Sequence, residues 1–101
     1  MGTHHGTLYS LAKGAVWAYS KSLARSLSPA IRVNVIAPGW IETEWGQTLA
    51  PDLRERVVKT TPLGRWGRPE DVAAAAVFLA SPDADFITGQ TIVVNGGAVM
   101  W

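Results

Sequence analysis

Along the first third of the chain the apolar residues fall at positions 8, 11, 12, 15, 16, 19, 23, 24 and 27, the recurrence of one broad helical stripe. That spacing predicts a helix over residues 8–28, preceded by a flexible leader over residues 1–7. The helix is closed by Pro29, which cannot continue it and restrains the residue before it. Ala15, Trp17 and Ala18 carry apolar surface beyond a single face. The helix is therefore expected to be buried on two sides, between a sheet and a neighbouring subunit.

The pattern then changes period. Ile31-Arg32-Val33-Asn34-Val35-Ile36-Ala37 is a β-branched run before the turn pair Pro38-Gly39, which predicts a largely buried parallel strand over 31–38. Leu49, Leu53 and Val57 recur at helical spacing within a loop-rich stretch, 40–68. Pro69-Glu70-Asp71 places a proline and two acids where a helix over 69–81 would begin. Thr91 to Val94 is a short β-branched run between Gly89 and Asn95-Gly96-Gly97, which predicts a strand over 90–95. Helix, strand, helix, helix, strand is the order of an α/β layer with a parallel sheet. Two strands leave most of both sheet faces and both edges uncovered, so self-association is expected to complete the layer.

Composition sharpens that expectation. With 101 residues the chain suits one domain, and its 48% hydrophobic content against 17% charged is more apolar than so small an interior needs. A homo-oligomer follows. The net charge of +1 carries no basic block, which argues against a nucleic-acid partner. The absence of cysteine fits a reducing compartment and a cytoplasmic location. No run of roughly twenty apolar residues, the length of a membrane span, occurs, and no signal peptide is visible.

Tyr9 and Lys13 lie four apart, on one face of the predicted helix. An ammonium beside a phenol favours the phenolate and brings a tyrosine toward the range of a general acid or base. By itself the pair also reads as a surface aromatic next to a surface lysine. Ser10 and Lys13 form an S-x-x-K, in which a lysine can activate a serine nucleophile, as in some hydrolases. The adjacent His4 and His5 lack a third ligand of clear spacing, so no metal site is expected. Trp40, Trp45, Trp66 and Trp101 are candidates for a substrate-pocket wall or an interface.

Five ordered segments carry a further signal: Tyr9 to Val16, Ser22 to Arg25, Ile31 to Gly39, Pro62 to Ala73, and Thr88 to Gly97. Together they closely resemble the C-terminal portion of the short-chain dehydrogenase/reductase family. The resemblance implies part of a Rossmann-like, doubly wound parallel sheet and NAD- or NADP-dependent hydride transfer with a carbonyl or alcohol substrate. It makes Tyr9 the catalytic acid/base and Lys13 the residue that tunes it and holds the nicotinamide ribose. It places Pro38 and Gly39 beside the nicotinamide, the Ile41 backbone at the carboxamide, and the Thr43 hydroxyl near carboxamide and phosphates. Without it, Pro38-Gly39 is a plain strand-ending turn and Thr43 a helix cap. The sequence departs from the family pattern where no glycine-rich fingerprint follows a strand, and none of the eight residues before Tyr9 is the expected serine. Three functions stay open at this point. They are a fragment inactive by itself, a non-catalytic self-associating chain, and a small esterase-like hydrolase using Ser10 and Lys13.

Overall fold

Six short stretches of regular structure and one long helix follow the order read from the pattern. The computed structural model describes residues 4–98, with the side chains of residues 4–7 and of Tyr9 outside that description. Helix α1 spans His4–Leu27, strand β1 Val35–Pro38, helix α2 Glu44–Gln47, helix α3 Pro51–Thr60, helix α4 Pro69–Ala80 and strand β2 Thr91–Val94, with a 3-10 turn at Pro82–Ala84. The two strands pair in parallel, Val35 opposite Thr91 and Pro38 opposite Val94. The α4 crossover joins them in one sheet, as parallel pairing requires.

Two expected boundaries are corrected. The leader over residues 1–7 gives way to helix from His4, because the apolar stripe marks where a helix has surface to bury, whereas backbone hydrogen bonding needs no apolar side chain. Residues 1–3, and Trp101 at the other end, lie outside the described residues. The strand expected over 31–38 is ladder only from Val35. Ahead of it, Val33 N–H donates to Thr88 Oγ1 at 3.0 Å and Asn34 Nδ2 to the Ile87 carbonyl at 3.0 Å. The Thr88 side chain on the approach to β2 and the Asn34 side chain on the approach to β1 thus take part in the pairing there, beside one backbone bond from Gly89 N–H to the Val33 carbonyl at 2.7 Å.

The buried set is thin. Ala24, Ala37, Val57, Trp66, Leu79 and Ala84 form it, and no large side chain among the described residues is completely enclosed. Helix α1 is anchored at its C-terminal half, where Ala24 is buried and Lys21 Nζ donates to the Gly89 carbonyl at 2.9 Å. Its N-terminal half stands off the sheet, leaving Leu11 69% and Trp17 51% exposed. The expected burial of α1 on two sides is therefore not met within one copy of the chain. The accessible surface is 7437 Å², against roughly 5,500 Å² for a folded monomer of this mass. No helix among the described residues is long and apolar enough to cross a membrane.

Helix α4 shows why its first turn holds. Pro69 supplies a preset φ at the first helical position, and Asp71 Oδ2 accepts from Arg68 N–H at 2.7 Å and from Arg65 Nη1 at 2.9 Å. The Arg65 hydrogen bond, ahead of the Arg68 amide, holds the Asp71 carboxyl below the usual carboxylate range, at about 2. A depressed folded value makes this contribution complete above about pH 4, where the unfolded carboxyl is ionised, and removes it as pH falls toward 2. Acid unfolding of the chain followed by circular dichroism should therefore lose part of its dependence between pH 4 and 2 in Asp71→Asn. An unaltered acid limb would show that the carboxylate does not hold this turn.

Candidate functional site

The site begins at the end of β1. Gly39 N–H donates to the Val94 carbonyl at 2.9 Å, extending the parallel register one residue beyond Pro38, and the chain then turns outward through residues 40–47. This arc does not hang free. Ile41 and Gly67 form an isolated parallel bridge, in which Gly67 N–H donates to the Trp40 carbonyl at 2.8 Å and Glu42 N–H to the Gly67 carbonyl at 2.9 Å. The two segments approach closely at 67, where an added Cβ would lie 2.6 Å from Ile41 Cδ1 and the end of the Ile41 side chain would have to shift.

In such a bridge the flanking residues use their groups on the partner, and the central residue's own N–H and C=O point the other way. Ile41 accordingly spends neither group on a hydrogen bond among the described residues. Thr43 is the N-cap of α2, its Oγ1 accepting from Gly46 N–H at 3.3 Å. The plain capping reading of Thr43 is thus realised. It leaves the hydroxyl proton available to an acceptor, because a hydroxyl that accepts one bond still donates one.

Lys13 and Ser10 lie three positions apart on α1, and both line a groove of about 650 Å³ between that helix and the sheet. Val35, Ile36 and Ala37 of β1 line the same groove, so α1 and the strand leading to Pro38-Gly39 share one open space. The Thr91 hydroxyl, also on its wall, is buried without a hydrogen-bond partner. Position 9 is one helical turn before Lys13, but the Tyr9 side chain lies outside the described residues, as do those of His4 and His5. The structure brings Lys13, Ser10 and the β1 segment together. It places Ile41 and Thr43 on the arc that continues from that segment.

Sequence reasoning missed the group that holds the arc. Arg54, on α3, forms a two-pronged ion pair with Glu42, its Nη2 2.8 and 2.7 Å from the two carboxylate oxygens, while its Nη1 donates to the Gly46 carbonyl at 2.7 Å. Its guanidinium lies 4.6 Å from the centroid of the Trp66 ring. Trp66 Nε1 returns a hydrogen bond to the Arg54 carbonyl at 3.2 Å, and Trp40 meets the same ring edge-on at 5.9 Å. Glu42 lies between β1 and α2 and Arg54 on α3, separate pieces of structure, so only the tertiary arrangement reveals the pair. The tryptophans alone gave a signal.

Comparison with known proteins adds an independent line. Residues 1–99 match the family described as enoyl-(acyl carrier protein) reductase. The 3-oxoacyl-(acyl-carrier-protein) reductase of Vibrio harveyi is 46% identical over 101 residues, 99% of this chain and 41% of that protein. Among solved structures, a short-chain dehydrogenase/reductase from Brucella melitensis, described as a glucose/ribitol dehydrogenase, aligns with a TM-score of 0.88 at 40% identity, covering 99% of this chain and 41% of the other. A 3-oxoacyl-(acyl-carrier protein) reductase from the same organism gives 0.86 at 42% identity, covering 92% and 35%. The chain spans about 41% of the length of such curated relatives.

Proposed function

Because the chain belongs to the short-chain dehydrogenase/reductase family, we propose that it forms the nicotinamide-facing portion of an NAD(P)-dependent oxidoreductase acting on a carbonyl or alcohol. Its α/β layer is part of a Rossmann-like fold. The observation that carries the reading is Lys13 on the wall of the groove between α1 and β1. The β1 residues that line that groove, Val35 to Ala37, run directly into Pro38-Gly39.

In this reading Tyr9 gives or takes the proton at its phenol oxygen, and Lys13, one turn along α1, holds the ribose hydroxyls by charge-assisted hydrogen bonds. The unspent N–H and C=O of Ile41 suit the two faces of a carboxamide, which carries both an acceptor and a donor. The Thr43 hydroxyl, already fixed by its bond from Gly46 N–H, donates to an acceptor of the same group. When bound, the reduced nicotinamide supplies the hydride.

Among the described residues no strand passes through a glycine-rich turn into a helix whose N-terminus could cradle a pyrophosphate. The 101 residues by themselves are therefore inactive in this reading, and the adenosine half is bound by residues outside them. Self-association is the second part of the proposal. It is supported by the exposed apolar length of α1 and by an accessible surface of 7437 Å².

One titration tests both parts. The purified chain is titrated with NADH and NADPH at rising chain concentration, following tryptophan quenching and energy transfer to the reduced nicotinamide, with sedimentation of the same samples. Saturable binding is expected, at least tenfold weaker in Lys13→Ala and tighter as the chain associates. Absence of binding up to millimolar cofactor would remove the nicotinamide reading, and a monodisperse monomer throughout would remove self-association.

A further inference from the structure

The arc over residues 40–47 carries both groups that the proposed function aims at the carboxamide, Ile41 and Thr43; the bridge to Gly67 ties its first limb through the backbone of residues 40–42, and that bridge does not reach residues 43–47. Thr43 makes only local bonds, its Oγ1 accepting from Gly46 N–H and its carbonyl from Gln47 N–H, which order the cap without tying it to the rest of the fold. The ties lie on either side. Before Thr43, Trp40 is held by its edge-on contact with Trp66 and Glu42 by the two-pronged ion pair with Arg54. After Thr43, the Gly46 carbonyl accepts from Arg54 Nη1, and the Gly46 Cα is so close to the Trp66 ring that an added Cβ would sit 3.2 Å from it.

One guanidinium thus reaches both limbs of the arc at once, donating to a side chain at 42 and to a backbone carbonyl at 46. A planar fork is suited to this, since its donors leave in fixed and different directions. The ring beneath it fixes the plane of the fork, and the Trp66 Nε1 bond to the Arg54 carbonyl fixes the ring. The Arg54 and Glu42 side chains are 26% and 37% exposed, so the pair is a poor source of global stability. Its geometric effect is local.

We propose that Arg54 is a positioning residue: through Glu42 and the Gly46 carbonyl it holds the 40–47 arc closed, and with it the Thr43 hydroxyl and the Ile41 backbone in one fixed relation to the end of β1. The functional half of this statement rests on the carboxamide-facing reading of Ile41 and Thr43. The mechanical half rests on the contacts alone.

Amide hydrogen exchange of the 101-residue chain separates the two halves. In Arg54→Met, which keeps an unbranched apolar stem over Trp66 and removes every donor, exchange at Glu42, Gly46 and Gln47 should accelerate at least tenfold, while Val35 and Gly39, bonded across the β1–β2 ladder, stay within twofold. Arg54→Lys, which keeps the charge and can satisfy one limb at a time, should fall between wild type and the methionine variant. Exchange in Arg54→Met within twofold of wild type, or acceleration as large at Val35 and Gly39 as at Glu42, would overturn the role of Arg54. Tryptophan-to-nicotinamide energy transfer on the same proteins reports the other half. Absence of cofactor binding by the wild-type chain would overturn the carboxamide reading and leave the exchange result to decide the positioning role by itself.

Discussion

Replacing Trp66 with alanine is expected to cost the chain about 3–5 kcal/mol, the usual range for removing a large aromatic from a packed site, read as a shift in the urea midpoint followed by circular dichroism. Trp66 is 7% exposed, whereas Trp45 is 63% exposed, so the same substitution at 45 should stay within about 0.5 kcal/mol. The loss at 66 has identifiable parts. The ring fills the space against Gly46, meets Trp40 edge-on, lies under the Arg54 guanidinium and donates to the Arg54 carbonyl. Trp66→Phe keeps most of the packing and removes the donor, which should leave a cost of about 1 kcal/mol from the lost hydrogen bond, plus a smaller packing loss. A Trp66→Ala variant within 1 kcal/mol of wild type would mean that the ring is not the centre of this cluster.

The magnitude matters because so little else is buried. Of the hydrophobic residues that form the core, three are alanines, Ala24, Ala37 and Ala84. Small side chains contribute little transfer free energy of their own, and Trp66 is the largest side chain of the buried set. It also joins three separate pieces of sequence, the arc after β1, helix α3 and the approach to α4. Losing it loosens the arc and the helix together, whereas losing Arg54 releases only the arc. The two substitutions are therefore distinguishable in exchange: Trp66→Ala should accelerate the α3 amides as well as those of residues 42–47.

The elements were legible where a periodic pattern coincides with a covalent stop. Pro29, Pro38 and Pro82 end or follow α1, β1 and α4, and Pro69 starts α4, each by removing a donor or presetting φ. Boundaries without such a marker moved. Helix α1 began at His4 because nothing in residues 4–7 forbids helix, and β1 shortened because Thr88 and Asn34 side chains take part in its early pairing. The expectation of burial on two sides of α1 came from its apolar width. Within one copy that width has nothing to meet. The site was legible in part for a similar reason. Lys13 and Thr43 stand at short-range spacings, whereas the Arg54 contacts to residues eight and twelve positions away follow from the fold alone.

The turn after β2 yields the second large effect. Gly96 has φ +64, a left-handed conformation costly for a residue with a Cβ, and an added Cβ would lie 2.9 Å from Thr61 Cγ2. That methyl cannot swing aside freely, since Thr61 is 5% exposed and its hydroxyl donates to the Val57 carbonyl at 2.7 Å. The turn is also tied down by Leu63 N–H, which donates to the Gly96 carbonyl at 3.1 Å. Gly96→Ala should therefore combine backbone strain of about 1–2 kcal/mol with crowding of about 1–3 kcal/mol, offset by about 0.4–1 kcal/mol from the less flexible unfolded chain. The net expectation is a loss of about 1–4.6 kcal/mol, centred at about 3 kcal/mol.

Gly64 isolates the first of these contributions. Its φ is +75 and nothing lies within 4 Å of an added Cβ, so Gly64→Ala carries the strain without the crowding and should cost about 1 kcal/mol or less. The crowding contribution is then tested by Gly96→Ala combined with Thr61→Ser. Serine keeps the hydroxyl bond to Val57 and removes the obstructing methyl, so the double variant should recover about 1 kcal/mol relative to Gly96→Ala in the same urea titration. Equal losses at Gly64 and Gly96, with no recovery from Thr61→Ser, would show that the turn after β2 does not pack against the end of α3. The link between those two elements matters because α3 carries Arg54. Through it the end of the parallel sheet is joined to the residue that holds the 40–47 arc.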